Sequence, residues 1–450
     1  MSVIDAYAGL KMPARDGRAA LMVPDSADVL KRYYLVQREL VLAQAGWLPG
    51  VEHWGSKILI PELLWQDQLT AKELRERVLE LRYPERRIAP GDDAPLLELW
   101  QRFRDAPNGL AFVEGLRQVL KPALRDAYQG YLGVADHLDD GPTVRILSQA
   151  IEDIDGQLER WAEALKDAAE ACPDDMQTAA KWVKGLRSIE KDLRRLLSAT
   201  RDSHAVPAFD PAAHGGKPFA ISRTGKRDRR FNPILFGWPD SLDPSRGPGE
   251  GFQLQIRQAS HHVNEIWAAE MAAACIFDLA DQAPPEFLDD AARWCYDEIR
   301  HCRMGYTRLR NWGFKMNEMP MGSFSYDAGA EVDAVTRLGI IFYFESTYIH
   351  TKSLRMKLFG EFGDKVSSHD MDFDWADEQI HAHYGTRWLK YFLDQTNDVR
   401  KPIDFRAQSE ACIKRMRDNA TAKDREDTER LFQQTMKRAK ELALASGQAS

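Results

Sequence analysis

The sequence predicts an all-α protein, with one four-helix bundle in its second half and a further helical bundle ahead of it. Three observations carry this. Apolar residues recur at helical spacing over most of the 450 positions, and runs of alternating β-branched residues are scarce. A single stretch, residues 201–251, is dense in proline and glycine and divides two helix-rich halves. Strands are therefore expected to be few, and the length exceeds what one core usually needs.

In the first half, residues 1–200, helices are expected at about 27–46, 60–82, 94–104, 108–136, 142–171 and 175–200. The first ends on the Pro49-Gly50 stop signal, and LTAKELRERVLELR is built from strong helix formers. Residues 201–251 read as a long linker or a wrapping arm. Beyond it, helices are expected at about 252–281, 286–312, 331–360 and 370–395, making a bundle over residues 252–400. A C-terminal helix within 401–450 carries Ile413, Met416, Leu431, Met436 and Leu442, apolar positions that would dock it back on the bundle.

Composition excludes several classes. Hydrophobic residues at 44% and charged residues at 29% are ordinary for a globular chain. The net charge of -8 offers no basic face to nucleic acid, and the one dense basic run, Lys226, Arg227, Arg229 and Arg230, lies in the loop-like arm. Five scattered cysteines without a CxxC pair suggest reduced thiols. No apolar run reaches the ~20 residues that span a bilayer, and the N-terminus lacks a signal-peptide core. A cytoplasmic protein with no membrane partner is expected.

The chemistry-bearing pattern lies in the second half. Asp297 to His301 read DEIRH and Asp377 to His381 read DEQIH, each containing Glu-x-x-His. On a helix these positions lie about 60° apart and ~4.5 Å along the axis, so both side chains reach one seam. One such pair carries little weight among 11 histidines. The remaining carboxylates supply the test, because a dinuclear bundle needs a Glu from each of two further helices. Glu265 precedes Glu298 by 33 positions, and Glu345 precedes Glu378 by the same 33. One shift of 80 maps Glu265, Asp297, Glu298 and His301 onto Glu345, Asp377, Glu378 and His381, which marks an internal duplication of a helix pair. Two such hairpins facing each other bring four carboxylates and two imidazoles to one point. Glu and neutral His are ligands that iron accepts.

These paired DExxH motifs, each behind a Glu-bearing helix, resemble the di-iron carboxylate proteins of the ferritin-like superfamily. HHVNEIWAAEM, DEIRHCRMGYTRL and DEQIHAHYGTRWL are most similar to an uncharacterised bacterial ferritin-like family with HHExxxxE, DEQRH and DExxH patterns. The resemblance implies two iron ions, or a mixed Fe/Mn pair. Glu298 and Glu378 would bridge them, with Glu265 and Glu345 as terminal carboxylates and one histidine on each metal. It also implies that Asp297 orients His381 and Asp377 orients His301. Ile380 stands where an arginine is usual. The first half, with Glu39, Asp67 and the IEDIDGQLERW helix, looks like the same layout without histidines, a degenerate, metal-free bundle that packs on the working one and shapes its pocket or a homodimer contact.

Other residues near the motifs have bland readings beside functional ones. His261 and Glu270 share the Glu265 helix and could add a ligand or support one, although the spacing of Glu270 breaks the repeat. His350 and His383 are expected to point away, and Cys295 and Cys302 to act as small buried hydrophobes. Trp267, Phe342, Phe344, Tyr348 and Trp375 flank the ligands. Core packing is their ordinary role, with one or two expected to line a substrate pocket. The expected function is an O2-dependent oxidase or oxygenase acting on a small organic molecule, with an electron donor as partner. The alternatives are a ferroxidase or peroxide-scavenging protein, and a non-enzymatic protein with a vestigial site.

Overall fold

The computed structural model describes residues 20–83, 88–199, 205–329 and 332–445. The first half contains α1 (Val23–Trp47), α2 (Trp54–Lys57), α3 (Ile60–Glu80), α4 (Ala94–Arg102), α5 (Gly109–Gly115), α6 (Lys121–Leu132), α7 (Gly141–Ala164), α8 (Ala168–Ala171) and α9 (Pro173–Leu196). The arm adds β1 (Asn232–Ile234) and α10 (Pro239–Leu242). The second half follows with α11 (Phe252–Asn264), α12 (Ile266–Leu279), α13 (Pro285–Asn311), β2 (Pro320–Gly322), α14 (Phe324–Gly329), α15 (Ala334–Glu361) and α16 (Lys365–Thr396), and the chain continues through α17 (Asp404–Asp418) and α18 (Ala422–Ala445). The class is all-α. β1 and β2 form one short parallel pair with Asn232 opposite Pro320.

Four expected helices are interrupted, each beside a local cause. The segment at 108–136 takes a wide π turn over Leu116–Leu120, just ahead of Pro122, which has no N–H to continue the regular ladder. The 142–171 segment breaks after Ala164, where Asp167 meets Arg230 of the arm and lies 3.0 Å from His53 Nε2. At Glu265 the backbone reaches ψ 0 and splits α11 from α12. The single C-terminal helix is in fact two, because Thr421 interrupts it and its hydroxyl accepts from the Asp424 N–H at 3.1 Å.

In the second half α15 lies along α16, α13 packs on α11 and α12, α12 meets α15, and α13 meets α16. Two glycines, each four residues after a motif histidine, permit these close approaches. A Cβ at Gly305 would run into the α11 backbone at Ala259 and Val263, and one at Gly385 into the Phe342 ring. Carboxylate caps fix two starts: Asp333 accepts from Thr336 N at 2.9 Å, and Asp364 from Ser367 N at 3.0 Å.

The arm wraps rather than links loosely. It buries Phe209, Phe231, Phe236 and Trp238, and its Arg227 reaches Glu270 on α12. Helix α1 packs on α3 and on α12, while α3 also packs on α13, so one apolar core runs through both halves. At the centre of the first half, Asp67 accepts from Lys121 Nζ at 2.6 Å on both oxygens and from Gln37 and Gln44 at 2.9 and 2.6 Å, while Lys121 also donates to Gln157. An ammonium ion neutralises the carboxylate there. Glu39 lies apart from this group, with Arg38 and Arg104 at 3.7 and 3.8 Å. Among the described residues, no helix is long and apolar enough to cross a membrane.

Candidate metal centre

Helices α13 and α16 carry the two Glu-x-x-His motifs, α15 carries Glu345, and the break between α11 and α12 carries Glu265. All six side chains are buried. Glu298, Glu345, Glu378 and His381 present ligand atoms that all lie within 4.8 Å of one another, and so do Glu265, Glu298 and His301. Glu298 belongs to both groups. Glu378 also lies in a third group with His301 and Asp374, so both motif glutamates stand between the two histidines.

The aspartates cross over between the hairpins. His301 Nε2 lies 3.2 Å from Asp377 Oδ2, and His381 Nε2 lies 3.4 Å from Asp297 Oδ2. Arg293 and Arg300 hold Asp297 in turn at 2.8 and 2.7 Å, and Arg300 also donates to Asp377 at 2.9 Å. Such carboxylate partners accept a hydrogen bond from Nε2–H and turn Nδ1 inward. His381 Nδ1 then faces Glu298 Oε1 at 3.0 Å and Glu345 Oε2 at 3.8 Å, and His301 Nδ1 faces Glu265 Oε2 and Glu298 Oε2 at 3.6 and 3.7 Å. Despite their burial, the surrounding carboxylates raise both imidazoles well above the usual histidine range, and a bound cation would take the place of those protons.

That arrangement fits a pair of cations. Glu265 Oε2, Glu378 Oε2, His301 Nδ1 and His381 Nδ1 are buried and make no hydrogen bond. Buried polar atoms are rarely left so. Burial pushes the Glu265 carboxyl up to about 8 and the Glu345 carboxyl up to about 7, while burial of Glu298 is outweighed by His301 and His381, which hold it well below the usual range. Five inner carboxylates (Glu265, Glu298, Glu345, Glu378, Asp374) face one ammonium, Lys352, leaving four negative charges when all are ionised. Two divalent ions would neutralise them.

A family model described as "Protein of unknown function (DUF455)" matches residues 241–434. That span begins in α10 and ends in α18, and it contains every residue of the centre. No curated protein and no solved structure matches the chain.

Several neighbours differ from expectation. His261 is not an inner residue: its ring is half exposed, 3.9 Å from Glu265. The adjacent His262 is the buried one, 3.2 Å from Asp374 through Nε2. Glu270 is not a ligand either. It pairs with Lys57 of α2 at 2.5 Å and with Arg227 at 2.7 and 3.0 Å. As expected, His350 and His383 are exposed and Cys295 and Cys302 are buried, their thiols turned to the backbone oxygens of Ala269 and Val263. None of the five prominent cavities among the described residues is lined by Trp267, Phe342, Phe344 or Trp375. Phe342 fills the space over Gly385, and Trp267 meets Phe344 edge to face at 4.8 Å, so these three rings pack against neighbouring elements. The Tyr348 side chain lies outside the described residues.

Replacing Asp297 with Asn should weaken metal binding ~10–100-fold, because His381 loses the charged acceptor that fixes its tautomer and an amide can turn a donor toward the ring instead. Competition with a chromophoric chelator measures this. Unchanged affinity would remove Asp297 from the centre.

Proposed function

We propose that Glu265, Glu298, His301, Glu345, Glu378 and His381 hold two transition-metal ions inside a ferritin-like four-helix bundle, and that the protein is a non-haem di-iron, or Fe/Mn, oxidoreductase working with O2. The observation that carries this reading is the set of four buried ligand atoms without a hydrogen-bond partner, on residues that belong to overlapping groups of close carboxylates and imidazoles. Four carboxylates and two imidazoles on facing bundle helices suit iron or manganese. Such a pair, once reduced, supplies electrons to O2.

The protein's own residues orient and exclude. Asp297 and Asp377 keep both histidine Nδ1 atoms inward. Trp294 donates Nε1–H to Glu298 Oε1 at 3.1 Å and steadies that carboxylate. Ile299, Ile340 and Ile341 are fully buried and help keep the surroundings dry, which protects a reactive site from water.

An organic substrate would have to displace packed rings such as Trp267 and Phe344 to approach the ligands. That packing favours a second reading, oxidation of ferrous ions or peroxide, whose small substrates need no apolar chamber. One experiment tests both. Protein purified with iron supplied should hold about two metal ions per chain, and the reduced form mixed with O2 in a stopped-flow spectrometer should give a transient visible absorbance. Faster decay with an organic ligand supports the oxygenase, and many ferrous ions oxidised per chain support the ferroxidase. Protein without stoichiometric metal would end both readings.

A further inference from the structure

The internal repeat fails at two positions inside the centre. The shift of 80 that superimposes the ligands pairs Lys352 with Ala272 and Asp374 with Trp294. Lys352, seven residues beyond Glu345 on α15, is buried, and its Nζ lies 2.7 and 2.9 Å from the two Asp374 oxygens, 2.9 Å from Glu378 Oε1 and 4.0 Å from Glu265 Oε1. A cation is thus already seated beside Glu265 and His301. The Glu345 and His381 side has a neutral counterpart: Trp294 stacks on His381 with ring centres 5.3 Å apart and donates only an indole N–H to Glu298.

Asp374 is held for this role from two directions. Arg308 donates to His262 Nδ1, so His262 offers its Nε2–H to Asp374 Oδ2 at 3.2 Å. Burial, with Arg308 beside it, pushes His262 down to about 3, so the ring stays neutral. Asp374 Oδ1 stands 3.6 Å from His301 Nδ1, inside the reach of a shared ion. An ordinary buried ion pair would resemble Lys121 with Asp67, whose lysine is enclosed by Asp67 and Gln157 and whose two carboxylate oxygens both accept hydrogen bonds. Lys352 instead bonds to Glu378, whose second oxygen is one of those unpartnered atoms.

We propose that Lys352 makes the two metal positions unequal. The position formed by Glu345 and His381 with Glu298 and Glu378 takes its ion first and tightly. The position at Glu265 and His301 fills only when the ammonium group withdraws from Glu378 and Asp374, and Asp374 then becomes a further carboxylate for that ion. The proposal rests on the two-metal reading above. Like charges at this separation repel strongly in a buried site, so the lysine and a divalent ion exclude each other.

Titration of the metal-free protein with Co2+, followed by calorimetry and visible absorbance, tests it. The expected result is two binding events separated by at least about tenfold, ~1.4 kcal/mol. His381→Ala should abolish the tight event and His301→Ala the weak one. Lys352→Met should tighten the weak event by at least about tenfold and bring the two together. Should that variant fail to fold because Asp374 is left unpaired, Lys352→Gln, which keeps a hydrogen-bond donor for Asp374 and removes only the charge, should likewise narrow the gap. Two equal events in the native protein, or a gap unchanged by removing Lys352, overturn this proposal and leave the two-metal reading standing. Absence of Co2+ binding in every form overturns both.

Discussion

Replacing His301 and His381 together with alanine is expected to reduce bound metal from about two ions per chain to well under one, a fall in affinity beyond the ~10–100-fold that follows loss of an outer partner. Among the described residues, these are the two buried imidazoles whose Nδ1 lies beside the carboxylates without a hydrogen bond. His262 Nδ1 is taken by Arg308, and His261 faces outward. Without nitrogen donors the centre becomes a carboxylate cluster partly neutralised by Lys352, a weaker and less selective host for iron. Metal analysis after dialysis against a chelator measures the change. A double variant that keeps two ions would refute the ligand assignment.

Glu270→Ala is expected to cost about 3–5 kcal/mol of stability, because it strands two buried cations, Lys57 and Arg227. Burial pushes the Lys57 amine down to about 8, and the Glu270 charge beside it pulls the other way, so removing the carboxylate drives the lysine toward its neutral form and limits the cost. Urea or thermal midpoints should fall sharply in the alanine variant and less in Glu270→Gln. Metal stoichiometry should hold in Glu270→Gln and drop in Glu265→Gln. An unchanged midpoint in Glu270→Ala would show that the triad contributes nothing to the fold.

The arrangement of the centre was legible because the chain repeats itself. Glu265, Glu298 and His301 and their partners 80 positions on could be aligned without knowing a single contact, and the structure brings all six together. His262 was not separable from His261. On a helix the residues three and four before Glu265 stand about 60° and 40° to either side of it, so spacing alone does not choose. The choice is made by Arg308 and Asp374, which arrive from α13 and α16. Lys352 and Asp374 were hidden for the opposite reason: the repeat that exposed the ligands has no equivalent for them. Glu270 looked like a ligand competitor because its partners come from far away, one from a four-residue helix and one from the Pro/Gly arm. Aromatic residues beside a ligand read the same whether they fill a groove, as Phe342 does over Gly385, or line a pocket. The long helices were readable, whereas the short α2, α10 and α14 were not, and the break at Thr421 and the π turn before Pro122 depend on single residues acting on the backbone.

Helix α1 limits how far the molecule can be taken apart. Of its 25 residues, 18 are buried, so it has no broad face made for water. One side lies on α3 and another on α12, the helix that begins beside Glu265 and carries Glu270. A fragment ending after α9 would lay bare the apolar surface that α12 and α13 cover in the intact chain, and a nick in the arm would leave the halves clasped together. Substitutions in α1 that touch no ligand therefore bear on the helix that begins beside Glu265, and the half without the paired motifs serves as the foundation on which the other is set.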